Sequence, residues 1–308
     1  MTALATALDD YLALRRSLGY KLERPGVLLG DFVAHLDDTG AEHITVQLAL
    51  DWAMRAANPD SSWRAQRLGM VRCFARYLHA IDPNHEVPPP GLLPRGQRRP
   101  EPFLFAEADI VALMAAARCM RSPLRALTMT TLIGLLAVTG LRVGEVIRLD
   151  RDDIVVERDL LVVRNSKLGR TRHVPIHPTT TEALRAYLPR RDQLLSSPAS
   201  PALFISTAGT RLRPSNLRAA FVELLARADL PPRQGRHGPR LGDLRHSFAV
   251  QTLLDWHVAG VDVGPRLPVL STFLGHVSPA STYWYLSASP PLLAAAARRL
   301  GDAPQVSP

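Results

Sequence analysis

Cysteine and lysine are both scarce in this chain of 308 residues, with two of each. Cys73 and Cys119 lie far apart and form no C-x-x-C pair. A disulfide scaffold and a cysteine zinc site are thereby excluded, and a reducing cytoplasm is the expected compartment. No G-x-x-x-x-G-K, no G-x-G-x-x-G opening a helix and no H-E-x-x-H occurs. Nucleotide-driven and zinc-protease chemistry therefore lack their signatures. Long apolar runs are missing too. The stretch from Ala126 to Leu141 is shorter than the ~20 residues of a membrane span. The segment from Leu267 to Ala297 lacks Asp, Glu, Lys and Arg, but prolines, serines and His276 interrupt it. Asp9, Asp10, Arg15 and Arg16 break the opening, which does not read as a signal peptide. No membrane association is expected.

What the chain does have is arginine. Of 37 basic residues only Lys21 and Lys167 are lysine, so 37 − 2 = 35 are arginine. A GC-rich genome explains such a bias. It still sets the lysines apart, because lysine can release a proton near neutral pH and arginine cannot. The formal net charge is +9, which favours a polyanionic partner, nucleic acid or lipid surface. At 46% hydrophobic residues the chain can bury a sizeable core.

The charge is unevenly spread. Residues 1–85 hold 9 Lys+Arg and 10 Asp+Glu, so the remainder carries 28 − 18 = +10. Residues 86–101 include Pro88-Pro89-Pro90-Gly91, then Pro94, Arg95, Arg98, Arg99 and Pro100. Such a run suits neither helix nor sheet and reads as an extended basic linker. Two domains are expected, 1–85 and 102–300, with a tail over 301–308.

The first domain reads as all-helical. Leu4, Leu8, Tyr11, Leu12 and Leu18 recur at helical spacing, and further helices are expected near 27–36, after Thr45, and over 62–81. The last carries Arg64, Arg67, Arg72 and Arg76 with no acidic residue between them. That pattern suggests a phosphate-facing surface, though a solvated helix face would look the same. The second domain mixes types. Helices are expected over 107–117, 124–138, 179–187, 214–228, 243–255, 269–274, 278–286 and 291–300. Residues 154–156, 160–164 and 172–176 read as a small antiparallel sheet. The fold class is thus mainly α with one small β-sheet.

Four segments carry side chains suited to chemistry. They are Thr139-Gly140-Leu141-Arg142-Val143-Gly144-Glu145, then Lys167 between the second and third strands, then Gly242-Asp243-Leu244-Arg245, and Leu274-Gly275-His276 followed nine residues later by Tyr285. Singly, each has an ordinary structural explanation: an ion pair, a solubilising charge, a helix-end charge, a packed histidine or tyrosine. In this order and spacing they resemble the tyrosine recombinase, or phage integrase, family. The resemblance spans roughly residues 102–295, with Arg142, Lys167, Arg245, His276 and Tyr285 at the family's active positions, and its wider context is similar to integrases of mobile elements.

The resemblance implies site-specific recombination of double-stranded DNA through a covalent 3′-phosphotyrosyl intermediate, without cofactor or metal. It also implies a helical core-binding domain at 1–85, a C-shaped clamp around DNA, and a homo-tetramer joining two sites. The apolar segment from Leu292 to Leu300 would then be exchanged between neighbours. Elementary chemistry agrees with the residue types. A phosphodiester repels nucleophiles, and the planar forks of Arg142 and Arg245 would neutralise it. Tyr285 would attack phosphorus, Lys167 would protonate the leaving 5′-oxygen, and His276 would contact the phosphate or position Tyr285. Tyr283 is the rival nucleophile. One departure stands out: the histidine opening the family's H-x-x-R is Gly242 here. A DNA-binding member with impaired catalysis is therefore a second reading, and a type IB topoisomerase a third.

Overall fold

The computed structural model describes residues 2–56, 61–94, 102–164, 171–195, 198–230 and 238–276, with 278 and 282. The chain divides into two units, Met1–Arg99 and Pro100–Pro308.

Among the described residues the first unit holds four helices: α1 (Ala3–Ser17), α2 (Glu23–Asp38), α3 (Val46–Met54) and α4 (Ser61–His79). Short hydroxyl side chains start two of them, as the Thr2 hydroxyl accepts from the Ala5 N–H and Thr45 from Leu48. Leu4, Leu8, Tyr11 and Leu12 face the core, whereas Leu18, expected with them, is exposed beyond the helix end. Helix α2 begins four residues before its expected start, because Pro25 falls in the first turn, where its missing N–H costs nothing. The core gathers Phe32, Trp52, Phe74 and Leu78 among others.

Two expectations for this unit change. Residues 86–94 are not free linker. The Glu86 N–H donates to the Ile44 carbonyl, its carboxylate accepts from the Val46 N–H, and Val87 and Leu93 pack on the core. The arginines of α4 also do not share one role. Arg67 is buried, with its guanidinium 3.7 Å above the Trp52 ring and its Nη2 donating to the Trp52 carbonyl. Arg72 donates to the carbonyls of Pro88 and Pro89, Arg64 is half-buried, and Arg76 is exposed. An aromatic face and a carbonyl within reach draw Arg67 inward despite its charge. Arg95, Arg98 and Arg99 lie outside the described residues.

In the second unit, α5 (Glu107–Arg118) and the buried α6 (Pro123–Thr139) lead into the short α7 (Val143–Arg148). The strands β1 (Ile154–Val155), β2 (Leu160–Val163) and β3 (Arg172–Pro175) form an antiparallel sheet in the order β1-β2-β3. Leu161 pairs with Val174 and Val163 with Arg172. Strand β1 is shorter than expected, since Val156 opens a 3-10 turn that ends on Asp159 at positive φ. Helices α8 (Pro178–Leu194), α9 (Pro214–Arg227), α10 (Asp243–Val258) and α11 (Leu267–Leu274) follow. The main core joins α5, α6, α8, α9 and the sheet, and a smaller cluster joins α10 to α11, where Phe248 and Phe273 stack. The fold is mainly helical with one small antiparallel sheet, as the sequence implies. The helices expected over 278–286 and 291–300 lie outside the described residues, apart from Ser278 and Thr282. No described helix is long and apolar enough to cross a membrane.

Candidate active site

Helix α6 must stop and turn at once to place Arg142. Gly140 does this in the left-handed conformation, φ 58°. A β-carbon there would lie 2.5 Å from the Phe248 ring and 3.0 Å from Leu274, so only glycine fits. Arg142 then caps α7, and Glu145, three residues on, returns its carboxylate to the Arg142 N–H at 3.0 Å. The same carboxylate accepts from Arg142 Nη1 at 2.9 Å. Arg142 Nη2 donates to the Gly275 carbonyl at 2.8 Å.

Arg245, in the first turn of α10, reaches the same place from another direction. Its Nη1 donates to the Gly140 carbonyl and its Nη2 to the Leu274 carbonyl, both at 2.8 Å. The side chain is buried. The Leu274-Gly275-His276 turn is therefore the meeting point of the two arginines, which hang from consecutive carbonyls. His276 Nδ1 lies 2.7 Å from the Thr282 hydroxyl, and Thr282 is fully buried.

Two further residues belong to this site. Glu145 is nearly fully buried and is held by both Arg142 and Arg172. Burial works to raise its pKa. The hydrogen bonds from Arg172 and from the Arg142 N–H, with the charges of both arginines, outweigh that and hold it at about 2. Glu145 is therefore ionised. Arg172, the first residue of β3, donates to both carboxylate oxygens and to the Phe273 carbonyl. Its signal in the sequence is slight: it shares the inward face of β3 with Val174, a strand position where a charge demands a partner. Glu145 is more legible, since a carboxylate three residues after a turn is the pattern of a capping box.

The structure thus brings together Arg142, Arg245 and His276. Lys167, Tyr285, Tyr283 and His237 lie outside the described residues. Gly242 sits at the N-cap of α10 with helical φ and ψ. Asp243 accepts from the Arg240 N–H at 2.8 Å, and burial raises its pKa. Among the described residues, no three His, Cys, Asp or Glu side chains gather as metal ligands. Three arginines against one carboxylate leave a charge of +2, apart from His276. A net positive charge of that kind favours an anion at the site.

A net-positive cluster of three arginines around one buried carboxylate, on a mainly helical fold with a small sheet, suits a protein that acts on an anion. The comparisons narrow it. Residues 104–290 match the phage integrase family. The chain is 43% identical over 306 residues to the putative integrase/recombinase y4rB of Sinorhizobium fredii, covering 97% of this chain and 98% of that one. It is 31% identical over 301 residues to the tyrosine recombinase XerC of Mycobacterium tuberculosis, covering 92% and 94%. In fold it is similar to the XerH site-specific recombinase in a post-cleavage complex with difH DNA, with a TM-score of 0.63 at 18% identity over 96% of this chain and 83% of that one. It is also similar to a lambda integrase dimer bound to a core site, with a TM-score of 0.61 at 17% identity over 92% and 95%. The chain belongs to the phage integrase family. It is a tyrosine recombinase, an enzyme that breaks and rejoins DNA strands.

Proposed function

We propose that this enzyme performs site-specific recombination on double-stranded DNA through a covalent 3′-phosphotyrosyl intermediate. The observation that carries this reading is the pair of arginines hung on the Leu274 and Gly275 carbonyls, 2.8 Å from each. Arg142 and Arg245 neutralise the non-bridging oxygens of the scissile phosphate. The Tyr285 hydroxyl attacks phosphorus and loses its proton, the bond to the 5′-oxygen breaks, and Lys167 supplies the proton that this oxygen needs. Rejoining is the reverse, with a 5′-hydroxyl attacking the phosphotyrosine. The energy of the original bond is kept, so no high-energy cofactor is consumed.

Around this centre, residues 1–85 act as a core-binding domain. Arg64, Arg72 and Arg76, with Arg95, Arg98 and Arg99, contact the DNA backbone, and four copies join two DNA sites. Arg67 drops out of that set, because it is buried with its guanidinium over the Trp52 ring.

The test is a nicked suicide substrate that traps the covalent complex. Wild type forms an adduct, Tyr285→Phe forms none while still binding DNA, and Tyr283→Phe behaves as wild type. Loss of adduct in Tyr283→Phe alone reassigns the nucleophile. A specific observation supports one other reading: Gly242 offers no side chain where the family carries histidine. A wild-type protein that binds DNA tightly and forms no adduct would establish that DNA-binding role instead.

A further inference from the structure

We infer that Arg172 is a positioning residue for the phosphate clamp: it takes up most of the charge of Glu145 and holds the α11 turn, so that the Arg142 side chain gives the carboxylate one contact only and is kept in place for the DNA. The inference rests on the proposed role of Arg142 and Arg245 as that clamp.

The division of hydrogen bonds makes the case. Glu145 is a buried carboxylate with two oxygens to satisfy. Arg172 takes both as a fork, Nη1 to Oε1 at 3.0 Å and Nη2 to Oε2 at 2.9 Å. The Arg142 side chain contributes one contact only, Nη1 to Oε1. Such a parallel fork is the strongest arrangement two ions can make, and here it belongs to Arg172. Arg142 therefore keeps its side chain 34% exposed against 13% for Arg172. Without Arg172, a buried carboxylate would retain a single cation partner, and the desolvation penalty would pull Arg142 into the bidentate position. An arginine so held cannot turn toward a phosphate.

The same guanidinium holds the other side of the site. Arg172 Nε donates to the Phe273 carbonyl at 3.1 Å, next to the Leu274 and Gly275 carbonyls that carry Arg245 and Arg142. It lies flat beneath Gly275, where a β-carbon would be 2.7 Å from its central carbon. Gly275 stands at φ 69° and caps α11. The glycine of the turn is thus required twice, by its own conformation and by the arginine below it. The Arg172 side chain thus joins two of the motifs, through Glu145 and through the turn that ends α11.

The experiment is a double-mutant cycle on single-turnover cleavage of the suicide substrate, using Arg172→Lys, Arg142→Ala and both together. Lysine keeps the charge but cannot serve both oxygens of Glu145 and the Phe273 carbonyl at once. In the wild-type background Arg172→Lys should slow cleavage about tenfold to a hundredfold, the cost of a clamp displaced by about an ångström. In the Arg142→Ala background it should cost at least about threefold less than in wild type, because the part of its effect that runs through Arg142 is already lost and only the part through the turn that carries Arg245 remains. DNA affinity should change by less than about threefold throughout. Equal losses in the two backgrounds would overturn the inference, since a general loss of folded protein multiplies both alike. Arg172→Gln carries the same comparison if the lysine form does not fold. Should wild type form no adduct at all, the covalent reading fails, and the inference is read from a crystal structure of the Arg172→Lys protein. Arg142 turned onto both Glu145 oxygens supports it, and Arg142 in its wild-type place overturns it.

Discussion

Arg245 donates to the carbonyl of Leu274, 29 residues further along the chain, at 2.8 Å. That bond fastens the start of α10 to the end of α11, so the guanidinium proposed to hold the scissile phosphate also ties these two helices together. Arg245 is buried and Arg142 is one-third exposed, so the two arginines are not equivalent.

Their substitutions should differ accordingly. Arg142→Ala should slow cleavage about 10²–10³-fold with little change in stability, as expected for one lost donor to developing charge. Arg245→Ala should slow cleavage at least as much and also unfold more easily, because two carbonyls lose their donor in a buried place. Chemical denaturation beside single-turnover cleavage separates the effects. Equal stability of the two variants would mean that the Arg245 bonds to Gly140 and Leu274 contribute nothing to the fold.

Glu145 should make stability depend on acid. Its pKa in the folded protein is depressed from 4.5 to about 2, so folding favours the ionised form. A depressed carboxylate contributes its full stabilisation above about pH 4.5 and loses it as pH falls through about 2. The difference corresponds to roughly 3 kcal/mol at neutral pH. Glu145→Gln cannot titrate, so the stability gap between it and wild type should be widest at pH 7 and should narrow between pH 4.5 and 2. Urea denaturation across that range reads it. A gap that stays constant would place the acid sensitivity elsewhere.

Thr282 should matter to His276 through its hydroxyl alone. The oxygen is 2.7 Å from Nδ1 and the residue is fully buried. Thr282→Val keeps the shape and removes the hydrogen bond, and should slow cleavage about threefold to tenfold, the value of one such bond. Thr282→Ser keeps the hydroxyl and should stay near wild type. If serine and valine behave alike, packing at Thr282 matters and the hydrogen bond does not.

Much of this architecture was legible in the sequence, and the gaps have particular causes. The strands announced themselves through apolar runs such as Leu160 to Val163, whose residues alternate in burial. Helix α8 extends seven residues past its expected end at Tyr187, because Pro189 reads as a breaker. Pro189 lies on the exposed side, where water can satisfy the carbonyl its ring leaves unpaired, while Thr181, Leu184, Tyr187 and Arg191 continue the buried stripe. Local pattern could place Arg142 and Glu145, which are three residues apart. It could not supply Arg172, whose contacts lie 27 and 101 residues away. Nor could it distinguish Arg67 from Arg76, since one aromatic ring across the first unit decides which is drawn inward.

Gly242 carries the boldest expectation. Its φ of −64° and ψ of −20° are those of any helical residue, and a β-carbon built there meets no atom within 4 Å. Histidine can therefore be introduced without strain on the backbone. Asp243 is poorly suited to stand in, because its carboxyl is occupied by the Arg240 N–H at the start of the helix. His246 follows Arg245 directly on α10, about 100° around the helix, and so faces elsewhere. In the proposed mechanism Tyr285 must still lose a proton, and a positioned general base usually contributes about 10²–10⁴ in rate. The wild-type enzyme should thus cleave, since Arg142, Arg245 and His276 supply the electrostatic part, but Gly242→His should cleave faster. Adduct formation is timed for both forms under single-turnover conditions, with DNA affinity measured separately. A histidine form that folds, binds DNA and is no faster would mean that another group already takes the proton. His237→Ala in the wild-type protein is then the next variant, and a slowed adduct there would identify that group.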